Sequence, residues 1–218
     1  WVFAEQSGGK IQSVTYELLG EGKKLADSLG MDLCAVLLGS GISEKAQELI
    51  IRGAAKVYLV DRPELAYFQD EPYSAVMIDL VKRHKPNIVL CGATTIGRSL
   101  ISRVAVSVKA GLTADCTGLA IDPVTKNLLQ TRPAFGGNIM ATIITPDFRP
   151  QMSTVRHKVM KEAIVDPGRK GAVLVQEIGA ELLKSRAKRL KFEAETGTTV
   201  NIAEADIIVS GGRGMQNA

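Results

Sequence analysis

A chain of 218 residues is long enough for one large domain or for one and a half. Its 45% apolar and 23% charged residues are ordinary for a protein that buries a core. A net charge of +4 is too mild and too dispersed for a dedicated nucleic-acid binder, and no apolar run approaches a membrane span.

No signal peptide is evident; Trp1 to Ala4 reads as a strand with no methionine before it, so residues are expected to have been lost ahead of it. Gln6-Ser7-Gly8-Gly9-Lys10-Ile11 resembles a hairpin turn. From Val14 to Leu29 the apolar residues fall at helical spacing, and Gly30 is placed to cap the end. Asp32 to Leu38 is a continuous apolar strand, followed by the turn Gly39-Ser40-Gly41. Ser43 is expected to cap a helix running through Ile51. Lys56 to Val60 is the next strand. A helix from Ser74 to His84 is stopped by Lys85-Pro86, and Asn87 to Cys91 returns to strand. Gly97 to Ala110 closes the series as a helix ending on Gly111. Strands apolar on both faces, alternating with helices, predict a three-layer α/β fold, Rossmann-like and adenine-nucleotide-hydrolase-like, with a parallel sheet flanked by helices. The loops after Leu38, Val60 and Cys91 would then share one sheet edge.

The second half changes character. Asp115 to Asp122, Leu128 to Arg132, Ile139 to Thr145 and Gln151 to Arg156 read as successive strands with short turns, which predicts an antiparallel extension. Asp166-Pro167-Gly168 is a turn. Glu177 to Arg186 fits a helix, whereas Lys188 to Glu195 alternates like a strand. Thr196 to Thr199 reads as a linker into a last buried strand, Ala205 to Val209. The basic run Lys184 to Lys191 has apolar Leu190 and Phe192 through its end and reads as a solvated face.

Four turns could bear chemistry. Leu38-Gly39-Ser40-Gly41 occupies a dinucleotide-loop position, but Glu44 stands where the third glycine of G-x-G-x-x-G belongs. Cys91 to Arg98 also joins strand to helix, with small residues that suit either an adenine nucleotide or another backbone. Gln130-Thr131-Arg132-Pro133-Ala134-Phe135-Gly136-Gly137-Asn138 combines a cation, a rigid proline, an aromatic and paired glycines, which suits either contact with a flavin or a partner surface or an ordinary bulged hairpin. Ser210-Gly211-Gly212-Arg213-Gly214 follows a strand; its amides and planar cation suit a diphosphate. Cys34, Cys91 and Cys116 read as buried reduced thiols. His84 and His157 make no metal-ligand spacing, and Asp61, Asp70, Asp79, Asp115 and Asp122 make no catalytic pair. The residues favour binding or carrying over self-contained catalysis.

Several runs together resemble the alpha subunit of the electron transfer flavoproteins. They are Val2-Phe3-Ala4-Glu5, Gly97-Arg98-Ser99-Leu100, and Gly111-Leu112-Thr113-Ala114-Asp115-Cys116-Thr117-Gly118-Leu119. Gln130 to Ile143, Arg149 to Arg156 and Ser210 to Gly214 complete the set. The resemblance implies an amino-terminal α/β scaffold domain, residues 1–199, that docks on a beta subunit. Residues 200–218 would be the truncated start of a carboxy-terminal FAD-binding domain. It implies cofactor contacts at Gly211, Gly212, Arg213 and Gly214, with Arg213 on the dinucleotide. Arg132, Phe135, Gly136, Gly137 and Asn138 are the candidates facing a partner or a flavin. An intact subunit is expected to carry electrons through FAD from acyl-CoA dehydrogenases of fatty acid beta-oxidation to a quinone-linked acceptor. Bifurcating members would use NADH and ferredoxin instead. The expected compartment is a bacterial cytoplasm, or the mitochondrial matrix for a eukaryotic member. Most of the FAD site would lie beyond Gly214, so the chain alone is expected neither to hold FAD tightly nor to transfer electrons. The rival is an adenine-nucleotide-binding domain of the universal-stress or ATP-pyrophosphatase type. It would need a phosphate loop where Gln6 to Ile11 stands.

Overall fold

Seven strands make a parallel sheet: β1 (Val2–Ala4), β4 (Cys34–Gly39), β5 (Lys56–Asp61), β6 (Ile88–Gly92), β7 (Leu112–Cys116), β11 (Gln151–Val155) and β12 (Ala172–Val175). They lie side by side in the order β12-β5-β4-β1-β6-β11-β7 in the computed structural model, which describes residues 1–191, 205 and 207–216. The period-2 alternation of strand side chains sends neighbours into different layers. Val2, Ala4, Ala35, Leu37 and Leu59 pack with Leu18, Leu19 and Leu49 of α1 (Ser13–Leu29) and α2 (Lys45–Ile50). Phe3, Val36, Leu38, Val89 and Cys91 pack on the opposite face against Met77, Leu80, Leu100 and Ile101 of α3 (Asp70–His84) and α4 (Thr95–Val108). The result is the expected three-layer α/β fold. The chain divides into two compact units, Trp1–Arg186 and Ala187–Ala218.

The hairpin after β1 forms as expected, from β2 (Gln6–Ser7) and β3 (Lys10–Ile11). Gly30 caps α1 in the left-handed region at φ 64°. Other boundaries differ for local reasons. Ser43 does not cap α2; its hydroxyl and amide are both taken by Asp61 at the end of β5. Asp70 and Glu71 start α3 four residues early, because acidic residues suit a first turn and Pro72 loses no helical bond there. Thr94 starts α4 by accepting the Gly97 amide on its hydroxyl at 2.9 Å.

The second half is a mixture of sheets. Asp115 to Asp122 is broken at Thr117: β7 belongs to the parallel sheet, while β8 (Gly118–Ile121) opens a separate antiparallel sheet with β9 (Leu128–Ala134) and β10 (Ile139–Ile143). β11 is not antiparallel but inserts in parallel between β6 and β7. Two buried side chains of β11 seat the small sheet. Gln151 accepts the Leu128 amide at 2.8 Å and donates to the Thr145 carbonyl at 2.9 Å. The Ser153 hydroxyl donates to Gln130 of β9 at 2.5 Å. All three polar side chains are fully buried.

A strap from Arg156 to Gly171 then crosses α1. Glu17 takes the successive amides of Lys158, Val159 and Met160, and the Ala163 amide donates to the Tyr16 carbonyl. Gly20 is needed beneath the strap: a Cβ there would lie 2.4 Å from the Lys161 carbonyl. The strap delivers β12 to the outer edge of β5. In place of the expected helix from Glu177 to Arg186 there is one 3-10 turn, Ala180–Leu183, and the segment packs on the core through Ile178, Leu182 and Leu183. Lys188 to Lys191 form no strand, and the rest of the expected strand to Glu195 lies outside the described residues, as does the linker 196–199.

Replacing Gln151 by Leu keeps the volume but strands a buried amide and a buried carbonyl, at about 1–3 kcal/mol each. Urea unfolding of Gln151→Leu should therefore show a loss of at least about 2 kcal/mol; a loss below about 0.5 kcal/mol would mean the small sheet is not held this way.

Candidate functional site

The carboxyl ends of the parallel strands bring together residues far apart in sequence. Asp115 lies at the end of β7, where its pairing with β11 shifts register. Its backbone is left-handed (φ 62°), a conformation that Asp tolerates better than most residues, and its amide donates to the Thr154 hydroxyl at 2.8 Å. The side chain is consequently aimed at two arginines. Arg156, just past β11, donates from Nε to Oδ1 at 3.2 Å and from Nη2 to Oδ2 at 2.7 Å. Arg98, in the first turn of α4, donates from Nη2 to Oδ1 at 3.1 Å and from Nε to the Ala93 carbonyl at 2.8 Å. The Arg156 hydrogen bonds, with the charges of Arg156, Arg98 and Arg132, hold the Asp115 carboxyl below its ordinary range despite partial burial.

Arg132 continues along β9 into the hairpin tip. Phe135, Gly136 and Gly137 turn the chain through three consecutive positive φ angles of 48°, 72° and 93°. Glycine adopts these freely; an aromatic residue does not, and such strain concentrates at contact sites. Phe135 is also 82% exposed. Its neighbours on β10, Ile139 and Met140, and Phe148 beyond it, are exposed as well, so the tip and the edge strand present an apolar surface. The sequence-derived group Arg132 to Asn138 is thus one continuous structural feature.

The turn Cys91 to Arg98 serves packing. A Cβ on Gly97 would lie 2.0 Å from the Gly92 carbonyl, so the start of α4 presses directly on the end of β6. Thr94 donates from its hydroxyl to Glu5 at 2.5 Å. Glu5 is only 6% exposed, and burial raises its carboxyl above the ordinary glutamate range. Where a phosphate loop would follow β1, the Gln6 side chain instead donates to the Leu38 carbonyl and to Tyr73, and the room beside Gly39 is filled by Gln6 and Ile42. The rival nucleotide-binding arrangement finds no support there. The Gly39 to Gly41 turn is likewise closed, by Asp61 accepting the amides of Gly41, Ile42 and Ser43.

In the second unit, Ile207 to Val209 lie outside any strand and are exposed, and Arg213–Met215 form a 3-10 turn with Gly211, Gly212, Arg213 and Gly214 all exposed. A strand needs a ladder partner, and the described residues of this unit supply none. The three cysteines are buried and free. Among the described residues no cluster could hold a metal, and no helix is long and apolar enough to cross a membrane. Sequence reasoning passed over Asp115 as unpaired because its partners stand 17 and 41 residues away. Only its placement in a resemblance-bearing run could have flagged it.

Because the folded value of Glu5 is raised, its favourable contribution is present at low pH and fades as pH rises through that value. Glu5→Gln keeps an acceptor for Thr94 and removes the buried charge. Urea unfolding should show the variant more stable than the parent at pH 7, with the advantage gone near pH 4; an equal loss at both would refute this.

The comparisons with known proteins agree with this architecture. A family model described as "Electron transfer flavoprotein domain" matches residues 1–180. The chain is 51% identical over 215 residues to the "Electron transfer flavoprotein subunit alpha" of Thermoanaerobacterium thermosaccharolyticum, a match covering 99% of this chain and 65% of that protein. It is 46% identical over 217 residues to the protein of the same name from Megasphaera elsdenii, covering 100% of this chain and 64% of that one. It is 43% identical over 218 residues to "Lactate dehydrogenase (NAD(+),ferredoxin) subunit LctC" of Acetobacterium woodii, covering 99% and 51%. The chain therefore spans less than two thirds of the length of each. Since the family match runs through every strand of both the parallel sheet and the small antiparallel sheet, the chain belongs to the electron transfer flavoprotein family.

Proposed function

We propose that the chain is the scaffold portion of an electron transfer flavoprotein alpha subunit, acting as a carrier component and not as a catalyst in its own right. Residues 1–199 form the docking domain and residues 200–218 begin the FAD-binding domain. The observation that carries this reading is the match to alpha subunits along 99–100% of the chain. The partner is a beta subunit, received on the apolar surface of Phe135, Ile139 and Met140 with Arg132 beside it. Exposure of large apolar side chains on an edge strand supports that placement, since such patches usually mark a binding surface.

FAD is the cofactor of the intact protein, with Gly211, Gly212 and Gly214 offering backbone and Arg213 a cation to its diphosphate. Their exposure and the open space beside Gly212 and Gly214 fit that role. When bound, FAD supplies the electron-accepting chemistry, while this chain positions it and its partners. Electrons would come from acyl-CoA dehydrogenases, or from NADH in a bifurcating member, and pass to a quinone-linked acceptor or ferredoxin. The printed name of the Acetobacterium relative, with NAD(+) and ferredoxin, supports the bifurcating branch.

Two measurements test this on the assembled protein. Phe135→Asp should weaken association with the beta subunit at least about tenfold by surface plasmon resonance, the size of effect expected for losing a central aromatic anchor. Arg213→Ala should weaken FAD about tenfold or more by fluorescence titration, as for one charge-assisted hydrogen bond. Unchanged affinity in both would remove the basis of the proposal.

A further inference from the structure

We propose that Arg98 and Arg156 form a binding site for a phosphate or diphosphate group, with Asp115 as the residue that presets the guanidinium planes. The inference goes beyond the docking reading and needs no beta subunit.

The cluster is over-supplied with positive charge for a structural ion pair. Two arginines are bonded to a single carboxylate, which leaves an excess of one positive charge at one point of the surface. An exposed pair contributes only about 0–1 kcal/mol to stability, so stapling β7 to β11 would need one arginine at most. The two arginines bonded to Asp115 are also only partly engaged. Arg98 spends Nε on the Ala93 carbonyl and Nη2 on Asp115; Arg156 spends Nε and Nη2 on Asp115. Their Nη1 groups have no acceptor among the described residues. Both side chains remain open to solvent, 53% and 45% exposed, whereas Asp115 beneath them is 19% exposed.

Such an arrangement suits a phosphate. A guanidinium presents its donors in a planar fork that matches two phosphate oxygens, and fixing that fork beforehand avoids the ordering cost of a free arginine. Asp115 does this for two forks at once, because both meet at Oδ1. The place is right as well: the cluster stands at the carboxyl ends of β7 and β11, the side of a parallel sheet on which α/β folds bind their ligands. Its residues belong to the first unit, whereas the terminal glycine-rich turn belongs to the second. It is equally distinct from the closed turns after β1 and β4.

Calorimetric titration of the full chain with inorganic pyrophosphate and with ADP tests the site. One saturable, salt-weakened event is expected. Arg98→Gln/Arg156→Gln, checked for folding by circular dichroism, should lose at least about tenfold in affinity, as for two charge-assisted contacts. Lys82→Gln/Lys109→Gln, at the far ends of α3 and α4, should leave binding intact. Asp115→Asn separates positioning from bulk charge, since Asn tolerates the left-handed backbone and makes the surface more positive. Weaker binding by this variant supports the preset forks; tighter binding overturns them. ADP binding more tightly than pyrophosphate assigns the site to nucleotides, and equal affinity assigns it to the diphosphate alone. Absence of binding by the parent chain, or equal loss in the lysine variant, overturns the proposal.

Discussion

Everything that distinguishes this chain from a plain parallel α/β sheet depends on two glutamines and a serine sealed between β9 and β11. Gln151 and Ser153 point from a parallel strand into the layer where an apolar side chain would normally pack, and they bond instead to Leu128, Gln130 and Thr145. A buried polar group without a partner is costly, so the antiparallel sheet can sit against β11 in one position only. That position sets where β9 and β10 project, and hence where Arg132 and Phe135 stand.

Arg156 stands just past the end of the same strand, and Asp115 stands one residue before the end of its neighbour β7. The register shift between β7 and β11 and the left-handed Asp115 backbone turn a side chain outward at a point where a regular strand would have continued. The close approach of Gly97 to the Gly92 carbonyl brings the first turn of α4, with Arg98, onto the same spot. A cationic cluster and an apolar tip are thus placed on one unit by three backbone details: a shift, a positive φ and a helix seated without a Cβ in its way. Electrostatics follow from the backbone here. Asp115 is held ionised by the arginines bonded to it, whereas Glu5, a few strands away, is bonded to the Thr94 hydroxyl and is pushed by burial toward its neutral form.

Sites read from glycine patterns fared unevenly, for a physical reason. A glycine in a turn can serve a ligand or simply let two backbones touch, and the residues alone do not say which. Gly97 proves to be the second kind, and the Gly39 to Gly41 turn is occupied by Asp61. Gly136 and Gly137 do require their positive φ, and Phe135 shares it at a cost that a purely structural turn would have no reason to bear.

Local chemistry in the sequence was sufficient for the parallel strands, the helices that alternate with them, the Gly30 cap and the hairpin after β1. Each of these is written in neighbouring residues, as continuous apolar runs, helical spacing or a turn pair. It was also sufficient for the family, through runs such as Thr131 to Asn138. The tertiary structure alone decided that β11 inserts in parallel between β6 and β7, that 172–175 is an edge strand, and that Asp115 collects Arg98 and Arg156. A strand does not carry its neighbour's identity in its own side chains, and a charge does not carry its partner's when that partner is 41 residues away.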